Sequence, residues 1–282
     1  MVQMTVDSWV QPIEPRFSNL FIEEWQEENR KKGKKPQAFD TPFRYSDAGK
    51  CTRYLCYASQ AYEGEEFDKP STFVTGLGTE IHEMVQGAIS RKYPEALFEV
   101  PSHLVTSSGH TDGLIPTQDL GLVQYELKSM GGTAYKKSIG ITNKGISNPT
   151  GPRYSAILQA SLNAKANECD TVIIGHVALE SVSRQLAERT GLSEVERFIS
   201  EWIIPKEIWE PLADGEVVRQ MGVLEDLEDG FFSERIAIGD GGEEVYLDPE
   251  NPRYWQCSYC SMKSHCIKDG PGRVPVEIKE IA

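Results

Sequence analysis

Asp112 lies in the run Gly109-His110-Thr111-Asp112-Gly113, and Glu126-Leu127-Lys128 follows on what reads as the next strand. Two strands joined by a turn can set the two carboxylates side by side, a hard-oxygen pair suited to Mg2+ or Mn2+. Lys128 shares a strand face with Glu126, because side chains two apart point the same way. An ammonium there can orient or help deprotonate an attacking water and stabilise charge on a phosphate. The combination would hydrolyse a phosphodiester without a covalent intermediate. The plainer alternative is a salt-bridged, solvated strand face. Against it stand the glycines flanking Asp112 and the apolar residues around Glu126 and Lys128.

His82, beside Glu83 on an expected helix, can offer an imidazole to Mn2+, which accepts nitrogen more readily than Mg2+ does. Gln159, on a later expected helix, can hydrogen-bond a phosphate or a water. Taken singly, both are equally ordinary helix residues.

A second group is made of sulfur. Cys257, Cys260 and Cys266 form a Cys-x2-Cys-x5-Cys cluster, and one more thiolate would complete a tetrahedral site. The candidates for the fourth are Cys51, Cys56 and Cys169, and the residue types fit zinc as well as an iron–sulfur cluster. A reducing compartment disfavours a cystine reading. With Cys51 as fourth ligand, the site would close a loop containing most of the chain.

The elements needed to position these residues are legible from their periods. Phe17, Leu20, Phe21 and Trp25 have helical spacing, and helices are expected at Cys51–Tyr62 and Phe73–Ile89, with Gly76 and Gly78 marking a close approach near the start of the latter. Strands are expected at Leu97–Thr106, Gly109–Ile115 and Leu122–Met130. In the last, Val123, Tyr125 and Leu127 alternate with Gln124, Glu126 and Lys128, which separates apolar packing from chemistry. A Gly-rich loop from Gly131 to Pro152 precedes a helix at Tyr154–Ala166 and a buried strand at Thr171–Leu179. Further on, a short helix is expected at Val182–Glu188, a strand at Phe198–Ile204, and a helix at Ile208–Leu227 that breaks near Gly215.

The chain has 282 residues, 39% hydrophobic and 26% charged, enough to bury a substantial core, with the balance of a globular protein. Its net charge of −14 argues against general nucleic-acid affinity but not against a locally basic groove. Arg30, Lys31, Lys32, Lys34 and Lys35 form a basic run, and Lys136 and Lys137 lie near the carboxylate motif. No apolar run is long enough to span a bilayer. Met1 to Pro15 lack a secretory pattern, so the cytoplasm is the expected compartment and no membrane partner is expected.

The order Cys51-x-Arg53, Gly78-x3-His82, Gly109-His110-x-Asp112-Gly113, Glu126-x-Lys128, Gln159 and the cysteine trio resembles the RecB-type exonucleases of the PD-(D/E)XK superfamily. The likeness is to their iron–sulfur branch, which includes the CRISPR-associated exonuclease and the AddB nuclease domain. It covers roughly Ser46 to Cys266, with 180–253 matching only in layout. The resemblance implies an α/β fold: a PD-(D/E)XK restriction-endonuclease-like core, a central mixed sheet flanked by helices, and an iron–sulfur staple joining the N- and C-terminal regions. It implies a 4Fe-4S cluster on Cys51, Cys257, Cys260 and Cys266, with Cys56 as the alternative to Cys51. It implies Mn2+ or Mg2+ at His82, Asp112, Glu126 and the Leu127 carbonyl, with Lys128 and Gln159 as catalytic partners. The family's tyrosine four residues after the glutamine is here Asn163, which puts stacking at that position in doubt.

The expected activity is exonucleolytic cleavage of single-stranded DNA or frayed ends, in recombination, repair or phage replication. A helicase, recombinase or CRISPR integration partner is compatible with it, since no P-loop is visible. Alternatives are a structure-selective endonuclease or CRISPR spacer-processing factor, a cluster-stabilised DNA-binding module without catalysis, and a zinc-stabilised interaction protein. Monomer and homo-oligomer remain open. The expected organisation is an N-terminal helical edge at 1–45, a nuclease core at 46–180, an elaboration packed on it at 181–253, and the cysteine segment with its tail at 254–282.

Overall fold

The computed structural model describes Glu27 and residues 39–65, 69–142 and 144–276. Contacts divide the chain into two units, Met1–Lys35 with Phe67–Leu77, and Pro36–Glu66 with Gly78–Ala282. The helix expected at Phe17–Trp25 and the basic run Arg30–Lys35 lie outside the described residues. All that follows concerns the second unit.

Its elements run β1 (Phe43–Arg44), α1 (Thr52–Ser59), α2 (Lys69–Lys92, entering this unit at Gly78), β2 (Val100–His103), β3 (Ser107–Thr111), β4 (Gly113–Thr117), β5 (Gly121–Met130), α3 (Gly132–Ser138), β6 (Ile141–Thr142), β7 (Gly145–Ile146), α4 (Tyr154–Ala166) and β8 (Thr171–Ala178). There follow α5 (Arg184–Thr190), β9 (Ile199–Pro205), α6 (Lys206–Glu228), β10 (Phe231–Phe232), β11 (Ile236–Ile238), β12 (Glu244–Tyr246), α7 (Trp255–Ser258), α8 (Lys263–Asp269) and β13 (Val274–Pro275). The fold is mixed α/β.

The central sheet has the order β4-β5-β8-β9. β5 pairs antiparallel with β4 and parallel with β8, and β8 pairs antiparallel with β9. A parallel β5–β8 pair needs a crossover, supplied by α3, the β6–β7 hairpin and α4. The alternation in β5 then sorts the two faces. Val123, Tyr125 and Leu127 pack with Ile81, Val85 and Ile89 of α2. On the other face Ala160 and Ala164 of α4 pack among Val172, Ile174 and Trp209, their small side chains allowing close contact. α6 packs behind α4, with Ala213 against Leu158 and Leu162.

The structure differs from the sequence reading in several places. The strand expected at Gly109–Ile115 is two strands in two sheets, β3 with β1 and β2, and β4 with β5, parted at Asp112. Leu97–Thr106 keeps only β2, because Glu99 adopts φ 52 just before it. The stretch Gly131–Pro152 is not open loop: α3 buries Tyr135 and Ser138, and the Tyr135 hydroxyl donates to the Glu196 carbonyl at 2.9 Å. α6 runs unbroken past Gly215, since Trp209, Ala213, Glu216, Gln220, Val223 and Leu227 form one buried stripe at helical spacing. The segment 181–253 does more than elaborate the core, for β9 is a strand of the central sheet and α6 covers α4. No helix among the described residues is long and apolar enough to cross a membrane.

Candidate active site

Asp112 sits where the chain passes from one sheet to the other, beyond the last β4–β5 pair, Gly113 with Tyr125. The edge of β5 past Tyr125 is therefore unpaired on that side, and Asp112 fills the gap: its Oδ2 accepts the Leu127 N–H at 2.8 Å. Within a strand the N–H and C=O of one residue point the same way, so the Leu127 carbonyl is directed to the same edge. Space is short on both sides of the turn, more so at Gly109 than at Gly113. A Cβ at Gly109 would lie 2.7 Å from the Tyr45 ring, and one at Gly113 would lie 3.3 Å from Phe98.

α2 brings two more groups. His82 Nδ1 stands 3.5 Å from Asp112 Oδ1, and Gln86, one turn on, donates from Nε2 to the Asp112 carbonyl at 3.0 Å. Helix and sheet approach closely here because Gly78 is bare: a Cβ would lie 3.1 Å from the Ser129 hydroxyl oxygen. On the opposite face of β5, Glu126 is fully buried, and Lys128 Nζ stands 2.7 Å from its Oε1. Lys128 Nζ also donates to Gln159 Oε1 on α4 at 3.0 Å. All the sequence-nominated polar residues, His82, Asp112, Glu126, Lys128 and Gln159, are thus drawn to one place by α2, the β3–β4 turn, β5 and α4.

The electrostatics are those of a crowded anionic centre. Burial and the Asp112 charge push Glu126 up to about 7, against the pull of Lys128. Burial would likewise raise Asp112, but His82, Lys128 and the Leu127 N–H together hold it below the usual carboxylate range. Burial opposes the charge on His82, and the bond to Asp112 outweighs it, so His82 is shifted upward. Lys128 is held above an ordinary lysine, Glu126 and Asp112 outweighing burial. Although Lys128 is at ion-pair distance, neither Glu126 oxygen meets a well-directed hydrogen-bond donor. A buried carboxylate in that state is costly unless a cation or ordered water completes it.

Two residues of this neighbourhood carried no signal by themselves. Gln86 anchors the Asp112 backbone, and its only sequence mark is a four-residue spacing from His82. His176 on β8, paired in register with Lys128, is buried, tilted against Trp202 with centroids 4.4 Å apart, and near the Ser138 hydroxyl at 3.3 Å. Burial, with Lys128 and Arg153 nearby, lowers its pKa to about 4. Asn163, where the resemblance expects tyrosine, is fully buried with neither amide atom paired. Lys136 and Lys137 fall in the last turn of α3, which leaves β5 directly after the site.

The cysteines form a second neighbourhood. Cys51 is the N-cap residue of α1 and packs with Ala237, Leu247 and Cys257. Its thiol is pushed up to about 12 by burial and also senses Cys266 and Cys260. Cys257, raised to about 11 by burial, senses Cys260 and Cys266. Cys56 packs in one buried cluster with Cys266 and Cys260, but its sulfur lies 3.4 Å from the Ser233 hydroxyl and accepts the Ser233 N–H at 3.3 Å. Cys169 is packed in the core beside Val172. All six thiols are free.

Cations surround the four-thiol set. Arg235 and Arg53 act on Cys266, Lys50 on Cys260, and Lys263 and Arg235 on Cys257, each favouring the thiolate. Arg53 is wholly buried, its guanidinium donating to the carbonyls of Ser233 at 2.6 Å, Gly270 at 3.4 Å and Gly272. Among the described residues, no three or more His, Cys, Asp or Glu side chains are placed together so as to hold a metal ion. Both neighbourhoods nevertheless suit one chemically. The buried, unsatisfied Glu126 with Asp112 and His82 could hold a hard divalent cation, and four free thiols ringed by cations could hold a soft metal or cluster as thiolates.

No protein-family model matches this chain. No curated protein matches it. Among solved structures it is similar to SSO0001, at 16% identity and a TM-score of 0.48 over 90% of this chain and 96% of that one. It is also similar to a phage-related exonuclease from Haemophilus somnus 129PT, at 13% identity and a TM-score of 0.40 over 63% of this chain and 81% of that one.

Proposed function

We propose that this chain is a divalent-cation-dependent deoxyribonuclease of the PD-(D/E)XK type, removing nucleotides from single-stranded DNA or frayed ends. The observation that carries this reading is Glu126: a fully buried carboxylate beside Asp112, its Oε1 2.7 Å from Lys128 Nζ as the one cation set against the pair. Such an arrangement is destabilising by itself, and the chemistry of the site gives it a purpose.

Asp112, Glu126, the Leu127 carbonyl and His82 would hold Mn2+ or Mg2+. The ion, when bound, supplies Lewis-acid stabilisation of negative charge at the phosphate. The remaining work belongs to the chain. Lys128, fixed between Glu126 and Gln159, presents a rigid cationic donor for a phosphate oxygen or a water. Gln159 fixes the direction of that donor from α4. Gln86 and the Leu127 N–H hold Asp112 at the mouth of the unpaired β5 edge, so its carboxylate cannot swing to solvent.

Cys51, Cys257, Cys260 and Cys266 would hold an iron–sulfur cluster as a structural tie between α1 and the C-terminal segment. The cationic ring of Arg53, Arg235, Lys50 and Lys263 supports an anionic thiolate assembly there. Protein prepared without oxygen and incubated in Mn2+ with linear and circular single-stranded DNA tests the reading. Linear strands shortened and circles left whole are expected; circles cut as fast as linear strands would make the enzyme an endonuclease, and no cutting of either would sink the assignment.

A further inference from the structure

We propose that Trp255, Tyr259 and Arg153 form a base-stacking clamp for single-stranded DNA, at the N-terminal end of the helix that carries Gln159. This rests on the nuclease reading above and extends it to how the strand is held.

Trp255 is 42% exposed and Tyr259 73% exposed, although both belong to a segment that buries Cys257 and Cys266. Four residues apart around α7, they lie one helical turn from each other. The guanidinium of Arg153 stands 5.0 Å from the Trp255 ring centre. Large exposed aromatics beside a cation offer what a single strand needs: flat faces for unstacked bases and a charge for the backbone between them. A duplex, its bases already stacked, has no use for such faces.

The clamp is continuous with the catalytic residues. Arg153 is the N-cap residue of α4, the helix that carries Gln159. Two residues before it, Gly151, at φ +65, lies beside Trp202, where a Cβ would make ordinary contact 3.8 Å from the indole nitrogen. Trp202 lies tilted against His176, ring centroids 4.4 Å apart, and His176 is paired in register with Lys128. Arg153 and Lys128 both act electrostatically on His176. His176 is thus a neighbour common to the reaction centre and to the arginine that lies over the exposed Trp255 ring. On a chain of net charge −14, this is a place where cation and aromatic faces coincide.

The test uses the whole protein and a fluorescein-labelled oligothymidylate of about 16 nucleotides. Binding is read by anisotropy in EDTA, where nothing is cleaved, and steady-state cleavage is read in Mn2+. Replacing both rings (Trp255→Leu with Tyr259→Leu) should weaken binding about tenfold or more, raise KM in parallel, and leave kcat within about threefold. Trp255→Phe with Tyr259→Phe should restore most of the affinity, which a merely structural role would not require. A leucine pair that binds within about twofold of the wild type, or a phenylalanine pair as weak as the leucine pair, overturns the clamp. The two readings fail separately. Wild-type protein that binds through the rings but cuts nothing in Mn2+ keeps the clamp and loses the nuclease, whereas cleavage with ring-independent KM and affinity does the reverse.

Discussion

Lys128 has two partners and a different bond to each: an ion pair with Glu126 and a donated hydrogen bond to Gln159. Replacing it with alanine leaves Glu126 buried without a counter-charge, so Lys128→Ala should lose cleavage by about a hundredfold or more while remaining folded. Retained cleavage would place the reaction elsewhere. His176 makes a separate prediction. Its pKa is lowered from 6.5 to about 4 in the folded protein, so the native state resists its protonation while the unfolded chain accepts it. Its contribution to stability is therefore complete above about 6.5 and is lost as pH falls through about 4. Denaturation curves across that window should show a shallower acid decline for His176→Gln than for the wild type. At this scale the candidate residues of β5 were legible because a strand's period of two sets them off against apolar neighbours. Gln86 was not, since a helix glutamine gains meaning only from the carbonyl it reaches. Cys56 was separable from Cys51 only by its contact with Ser233.

Elements act on the site through their distances. α2 carries His82 and Gln86 to Asp112, and Gly78 sets how close it lies to Ser129 of β5. Gly78→Val should overpack that contact, costing about 1–3 kcal/mol and weakening Mn2+ affinity, as titration calorimetry beside thermal melts would reveal. Unchanged Mn2+ affinity would mean that the helix position does not govern the site. The helices and β5 could be read from sequence because each has a continuous apolar stripe. The β3–β4 break could not, because Gly113 to Ile115 continue an extended pattern while changing sheets. The stretch from Gly131 to Pro152 was misread for the opposite reason: its glycines looked like a loop, while the buried Tyr135 and Ser138 fold it around α3.

Across the molecule, Arg53 joins distant parts of the chain, bonding from α1 to carbonyls at Ser233, Gly270 and Gly272. Arg53→Ala should cost about 3 kcal/mol or more in urea denaturation, because three carbonyls lose a charged donor together and the buried side chain leaves a void. Loss of the proposed cluster through Cys257→Ala should remove iron and stability together. A variant that keeps both would end the staple reading. The most direct test of the whole account compares wild type with Glu126→Gln, for thermal stability and for Mn2+-dependent shortening of linear single-stranded DNA. A carboxylate held buried beside a second carboxylate for the sake of the reaction predicts a variant at least as stable as the wild type that no longer cuts. A Glu126→Gln protein that cuts at the wild-type rate would contradict it.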